Sequence, residues 1–133
     1  MKKAIMFWVL LAGLATLGAT AAIASADCGL IHDSNLRYYC KGDCGLVNNS
    51  DLRYLCKKDC GLIGDSDLRY YCKGDCGLIK DMDMRYLCKK DCGLIKNSDM
   101  KYYCRHDCGL ISNTDLRYLC RSHAKFPGKR FMH

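Results

Sequence analysis

The sequence contains no glutamate and no glutamine, although 14 of its 133 residues are acidic. All the acidic residues are therefore aspartates, whose short side chains suit helix caps and turns better than exposed helix faces. A calcium loop of the EF-hand type is excluded, because its last ligand is a bidentate glutamate. Pairs such as Asp65 with Asp67 fall at predicted helix starts, where capping and the helix dipole account for them.

Catalytic and cofactor motifs are also absent. No single nucleophile accompanies a base, since any apparent pairing recurs six times, and there is no CxxCH motif for covalent haem. The histidines His32, His106, His123 and His133 do not recur with a period, and the cysteine spacing matches no regular zinc site. We therefore expect no catalytic residue, no cofactor and no metal ion, and we expect that the protein is not an enzyme.

The first 26 residues have the three parts of a bacterial Sec signal peptide. Lys2 and Lys3 form a positive start, residues 4–22 are apolar or small, and residues 24–26 read Ala-Ser-Ala. A retained membrane anchor is the alternative, which the small residues and the cleavage site disfavour. Cleavage would remove two lysines and lower the net charge from +7 to +5. The prediction is a secreted or periplasmic protein without a membrane span after cleavage.

Residues 27–122 consist of six units of 16 residues, with no insertion between them. Each unit opens with Asp-Cys-Gly-Leu. The units begin at Asp27, Asp43, Asp59, Asp75, Asp91 and Asp107. A period this strict predicts an array in which each unit packs mainly on its neighbours.

A second period of 32 residues is superimposed on the first. One position is tyrosine in units one, three and five and leucine in units two, four and six. Its residues are Tyr39, Leu55, Tyr71, Leu87, Tyr103 and Leu119. The building block is therefore also consistent with a 32-residue αα-hairpin present three times, because such hairpins in helical solenoids have about this size.

Each unit carries the signals of one short helix. An Asx residue always stands three places before a Leu or Met, at Asp33, Asn49, Asp65, Asp81, Asn97 and Asn113, and is the predicted N-cap. From there Leu36, Tyr39 and Cys40 share one helix face, and the helix is expected to end near Gly42 or Lys58. The prediction is an all-α tandem-repeat solenoid of short helices. A β-solenoid, with strands formed by Gly-Leu-Ile and Leu-Arg-Tyr-Tyr-Cys, is the alternative.

Twelve cysteines behind a secretion signal predict an oxidised disulfide framework. Pairing across the three-residue gaps would leave Cys28 and Cys120 over, whereas pairing across the eleven-residue gaps uses every cysteine once. Each unit would then be stapled by its own bond, and links between neighbouring units are the alternative. The predicted pairs are Cys28–Cys40, Cys44–Cys56, Cys60–Cys72, Cys76–Cys88, Cys92–Cys104 and Cys108–Cys120.

A basic residue followed by tyrosine recurs in every unit, off the predicted core face. The residues of this candidate binding face, called here the Arg/Tyr face, are Arg37, Tyr38, Arg53, Tyr54, Arg69, Tyr70, Arg85, Tyr86, Lys101, Tyr102, Arg117 and Tyr118. Aligned cations and phenols suit sugar rings, anionic glycans or a nucleic-acid backbone. In the structural alternative the arginine reaches back four residues to the Asx cap, and the tyrosine packs between units.

Residues 123–133 break the period and form a basic, aromatic tail. They include the only proline, Pro127, together with Phe126 and Phe131. The tail is expected either to cap the last unit, which has no successor in an open array, or to contact an acidic partner or a membrane surface.

The favoured function is a non-enzymatic binding module that uses the Arg/Tyr face, with an anionic glycan or a protein as partner. One alternative is a structural protein whose copies assemble end to end into filaments, since near-identical units leave end faces open to another copy. The other alternative is a cationic secreted toxin or antimicrobial protein, which only size, charge and cysteine content support.

Overall fold

A computed structural model describes residues 27–132, so the predicted signal peptide lies outside the described residues. In the described part each unit contributes one eight-residue α-helix, and there is no β-strand. The helices are α1 (Ser34–Lys41), α2 (Ser50–Lys57), α3 (Ser66–Lys73), α4 (Met82–Lys89), α5 (Ser98–Arg105) and α6 (Thr114–Arg121). The all-α prediction is confirmed, and the β-solenoid is excluded.

The predicted Asx residue caps every helix. In unit three, for example, Asp65 Oδ1 accepts a hydrogen bond of 2.9 Å from the backbone N–H of Leu68. After five of the six helices, one residue with positive φ ends the helix, and it is Gly74 in unit three but Lys90 in unit four. A short 3-10 turn with the sequence Cys-Gly-Leu then begins the next unit, as at Cys76–Leu78.

One disulfide closes each unit, in the six pairs that the sequence predicts. Each bond joins the Cys-Gly-Leu turn of a unit to the last turn of its helix. The Cα atoms lie 5.5 Å apart in five pairs and 5.6 Å apart in the pair Cys108–Cys120, which is an ordinary disulfide separation. The alternative of links between neighbouring units is therefore wrong.

Neighbouring units are joined by a side chain from the first turn of each helix. Asp67 accepts backbone hydrogen bonds from Lys80 and Asp81 of the next unit, at 2.8 and 3.0 Å. The residues with this role are Asn35, Asp51, Asp67, Asp83, Asp99 and Asp115. Capping thus accounts for Asp65, as predicted, but Asp67 binds the next unit rather than its own helix.

The same bond joins the last unit to the first. Asp115 accepts hydrogen bonds from the backbone N–H groups of His32 and Asp33, at 2.8 and 3.0 Å, and α6 contacts α1 as neighbouring helices do. The six units therefore close into a ring instead of forming an open solenoid. Unit six has unit one as its successor, so the predicted need for a terminal cap does not arise.

All six helices have the same orientation in the ring, because the first turn of each helix bonds to the next N-cap residue and to the residue before it. The ring therefore has an N-cap face, which carries the six N-caps, and a C-cap face, which carries the helix C-termini. Between the faces the units share one apolar core. In unit two the core residues Val47, Leu52 and Leu55 have exposed fractions of 0%, 0% and 4%.

Candidate functional site

The ring surrounds a central channel, and the tail passes through it. On the C-cap face, Lys125 lies near Lys58, at the C-terminus of α2. Phe126 is 1% exposed, and Pro127 and Gly128 are also buried. On the N-cap face, Lys129 Nζ lies 2.7 Å from a carboxylate oxygen of Asp81, the N-cap of α4. The tail therefore crosses from the C-cap face to the N-cap face and fills the channel, rather than capping unit six.

The 32-residue period has its structural counterpart in the channel. The tyrosines of units one, three and five hydrogen-bond the backbone of the tail. The Tyr39 hydroxyl donates to the carbonyl of Lys125 at 2.9 Å, and the Tyr103 hydroxyl donates to the carbonyl of Ala124. Tyr71 is hydrogen-bonded to the backbone of Phe126. The three phenols thus bind backbone atoms of three consecutive residues, 124–126, where leucine at the same position would offer no polar atom.

Burial holds these phenols in their neutral form. Desolvation raises the pKa of Tyr71 to about 12, against an opposing hydrogen bond from the Phe126 backbone. Desolvation also raises the pKa of Tyr39 and of Tyr103 well above the ordinary tyrosine value, and the neighbouring phenols add to the increase. A neutral phenol keeps its O–H proton, so Tyr39 and Tyr103 are able to donate to carbonyl oxygens at any physiological pH.

The side chains of the tail also have defined partners. The ring of Phe126 meets Tyr103 edge to face, with centroids 5.4 Å apart. The Lys125 ammonium lies 4.7 Å from the centre of the Tyr71 ring, and burial, with a smaller contribution from Lys58, lowers its pKa.

The Lys129 contact lies at the other end of the channel. The hydrogen bond from Lys129 to Asp81, together with backbone N–H groups, lowers the pKa of this carboxyl although partial burial opposes the change. Both ends of the tail segment in the channel therefore carry a lysine with a specific contact.

The Arg/Tyr face is regular, but backbone carbonyls already engage its arginines. Arg69 Nη1 donates to the carbonyl of Ile63 at 2.9 Å, six residues earlier in its own unit, and the four other arginines make the same bond. Arg69 lies over the ring of Tyr70 at 5.8 Å, and both are half-buried. In the described residues no ion pair joins Asp65 to Arg69, so the predicted bond to the Asx cap is wrong, whereas a structural role for the arginine is supported.

Sequence reasoning missed a set of exposed leucines, one in each unit. They occupy the last position of the Cys-Gly-Leu turn and are 53–62% exposed. These turn leucines are Leu30, Leu46, Leu62, Leu78, Leu94 and Leu110. The signal was in the sequence, because this position is leucine in all six units, but nothing in the pattern distinguished it from the neighbouring core isoleucine.

A cation ends the helix of each unit, and in unit five it lies near the turn that carries the exposed leucine. The disulfide Cys92–Cys104 holds the turn of unit five against the last turn of α5, where the next residue is Arg105. Arg105 Nη2 lies 3.9 Å from the position that a Cβ on Gly93 would take. The equivalent cations are Lys41, Lys57, Lys73, Lys89, Arg105 and Arg121. Each unit thus carries an exposed apolar side chain on its turn and an exposed cation at the end of its helix.

One group of possible metal ligands lies in unit six. Within residues 27–132, His106, Cys108 and Cys120 bring three ligand atoms within 4.8 Å of one another. Both sulfurs belong to one disulfide, so neither is the thiolate that a zinc site uses. The His106 ring stacks on His123, with centroids 4.4 Å apart, which places a second imidazole beside the disulfide. The group is therefore an aromatic contact next to an oxidised cysteine pair.

Comparison with protein-family models, with curated proteins and with solved structures found no similar protein. Among residues 27–132, no helix combines the length and the apolar composition needed to cross a bilayer. The six disulfides within the chain indicate folding in an oxidising environment. Function therefore has to follow from the ring, its channel and its outer side chains.

Proposed function

We propose that the protein is a non-enzymatic binding scaffold, secreted or periplasmic, whose outer surface binds an acidic protein partner at several equivalent points. The observation that carries this proposal is the exposure of the turn leucines. A leucine that is more than half exposed contributes little to the core, yet each of the six units has one. Repetition of an exposed apolar side chain, in units that each also expose a cation, is typical of a contact surface.

The chemistry of this surface favours an acidic protein over a glycan. Sugars and nucleic-acid backbones would satisfy the cations but would leave the leucines without an apolar partner. The Arg/Tyr face adds half-buried phenols and guanidinium groups, of which only some N–H donors are used by backbone carbonyls. A partner with acidic and aromatic side chains would satisfy the leucines, the cations and the phenols.

Multivalency would make weak contacts sufficient. Each unit offers one leucine and one cation, and a second contact to the same partner becomes intramolecular after the first one forms. Because the ring is closed and each unit is held by its own disulfide, the spacing between contact points is fixed before binding, which lowers the entropy cost of association.

Three acidic polymers provide the test: heparin, polyglutamate and a glutamate–tyrosine copolymer. We expect the protein to bind the copolymer most tightly, with an affinity that decreases as salt is raised. The double variant Leu62→Ser/Leu78→Ser should reduce copolymer affinity toward that of polyglutamate, without a change in melting temperature, because four turn leucines remain. Met82→Ser is the matched control, because Met82 is 51% exposed but stands where other units have serine or threonine. Equal copolymer binding by the leucine variant and the parent protein would contradict the proposal.

The two alternatives have less support. End-to-end filaments need free end faces, but in the ring these faces bind each other through Asp115 and His32. A monodisperse monomer in size-exclusion chromatography would remove that hypothesis. A toxin or antimicrobial role rests on composition alone, and absence of any growth effect on susceptible cells would remove it.

A further inference from the structure

The central channel recognises its occupant in the way that a peptide-binding site does. Hydroxyl groups from three units contact the peptide backbone, and two of them donate to carbonyl oxygens, which is recognition independent of side chains. Sequence preference is added by a few contacts along the channel. An aromatic ring packs against Tyr103, and a cation pairs with Asp81.

The backbone conformation favours glycine at position 128, which lies next to Leu68. Gly128 has φ +107°, and a Cβ built on it would lie 3.4 Å from Leu68 Cδ1. Together with Pro127, which precedes it, this position fixes a short pattern of aromatic, proline, glycine and basic residues, read in that order from the C-cap face to the N-cap face. The channel therefore has both a direction and a sequence preference.

The ring does not depend on the tail for any bond that builds it. Every disulfide, every N-cap and every inter-unit hydrogen bond, including the closing bond to Asp115, lies within residues 27–122. The tail is connected through residues 123–125, of which His123 and Lys125 are exposed. The bonds that build the ring are thus separate from those that hold the tail, although Phe126 packs in the shared apolar core.

We propose that the channel is a peptide-binding site occupied by the chain's own tail, and that an extended segment of a partner protein with the pattern aromatic–proline–glycine–basic displaces it. The attached tail has the advantage of a high effective concentration, on the order of millimolar for a short connection. It therefore keeps the channel filled until a competing segment is bound elsewhere on the same ring, or is abundant. This site is independent of the outer surface, so it does not rest on the function proposed above.

The experiment separates the tail from the ring without deleting it. A protease recognition sequence is inserted at His123, where the chain is exposed, and the purified, oxidised protein is cleaved there. We expect the cut tail to dissociate on dilution. A fluorescently labelled peptide with the sequence of residues 124–133 should then bind the emptied ring at one site and raise its fluorescence anisotropy, and unlabelled peptide should reverse this change.

Two control peptides test the assigned contacts. Phe126→Ala should weaken binding about tenfold to a hundredfold, because it removes a buried aromatic side chain. Gly128→Ala should weaken binding as well, because a side chain at φ +107° strains the backbone. An Arg130→Met change, at an exposed residue of the tail, serves as the comparison and should have a smaller effect than the Phe126 change.

Several outcomes would overturn the proposal. If the cut tail stays bound through gel filtration and no labelled peptide is taken up after prolonged incubation, the tail is a permanent part of the core. Loss of helical circular dichroism when the tail leaves would show that the ring needs it to fold. Equal binding of the Phe126→Ala peptide would show that the channel does not read the pattern. None of these outcomes bears on the turn leucines, so each leaves the function proposed for the outer surface intact.

Discussion

Asp115 accepts a hydrogen bond of 2.8 Å from the backbone N–H of His32, which lies 83 residues earlier in the chain. Its geometry repeats the bonds between neighbouring units, such as the one from Lys80 to Asp67. Ring closure therefore uses the chemistry of the repeat itself and needs no dedicated element. The side chain at this position, Asn35 in unit one and Asp in the others, makes these bonds in each unit. The strength of the hydrogen bonds that close the ring can therefore be estimated at any of the six junctions.

Asp67→Ala should lower the free energy of unfolding by about 1–3 kcal/mol, because two backbone N–H groups of the next unit lose their acceptor. Asp67→Asn should cost less, since Asn35 fills the equivalent position in unit one and still accepts from Asn48 at 2.7 Å. Denaturant unfolding under oxidising conditions measures both changes. Equal losses for the two variants would show that the contact is not made through these hydrogen bonds.

Lys90→Gly should raise the free energy of unfolding by about 1 kcal/mol. Lys90 ends α4 with φ 63°, a conformation that glycine adopts without the steric cost that a side chain brings. The matched control is Gly74→Lys, at the equivalent position of unit three, where φ is 78° and a Cβ would meet nothing within 4 Å. The free energy of unfolding of this variant should fall by a similar amount. A change of the same sign in both variants would show that backbone conformation does not determine stability at this position.

Asp81→Asn should remove the tail contact while keeping the helix cap, because Asn97 caps α5 in the same way. The loss should be about 0.2–1 kcal/mol at neutral pH, the usual range for an exposed ion pair. The pKa of Asp81 is lowered in the folded protein, so its charge stabilises the fold above the ordinary aspartate value of about 3.9, and this contribution disappears as the pH falls through the lower folded pKa. The difference in free energy of unfolding between Asp81→Asn and the parent protein should therefore decrease at acidic pH.

Lys129→Met provides the control for that experiment. It removes the other partner of the same pair, so its loss should match that of Asp81→Asn, and the double variant should lose no more than either single one. Additive losses would mean that the two side chains act separately. Thermal unfolding across a series of acidic buffers supplies all of these values.

Arg69→Gln should lower the free energy of unfolding by about 0.5–1.5 kcal/mol, because the guanidinium donates to the buried turn at Ile63. Arg69→Lys should recover part of this loss if charge alone matters at the site, and little of it if the planar group is needed. Unchanged stability in both variants would show that the arginine does not stabilise the fold and is available to bind a partner.

The sequence was sufficient to predict most of what is local to one unit, although not the bond from Arg69 to Ile63. The Asx caps, the helix ends and the disulfides all depend on residues at most 12 positions apart, such as Cys60 and Cys72. Copies of the unit act as substitutions of one another, so the required residue types stand out. Local chemistry therefore identified these features without any knowledge of the neighbouring units.

The ring and its filled channel were not predictable in this way. Closure depends on the rotation between successive units, which is set by small backbone angles and leaves no mark on the period. The alternation of Tyr71 with leucine was visible, but the partner of the phenol is the tail, which has no counterpart in the repeat. The role of Asp67 was misjudged for the same reason, since its acceptor geometry involves the next unit.

Closure also limits how the gene can change. Near-identical repeats recombine readily, and an open array tolerates one unit more or less because its ends are free. Here each unit supplies one sixth of a full turn, so the loss of a single unit would leave a gap that Asp115 does not span. It would also bring leucines to places where the tail meets Tyr39, Tyr71 and Tyr103. Sequence drift within units should therefore be tolerated far better than a change in the number of units.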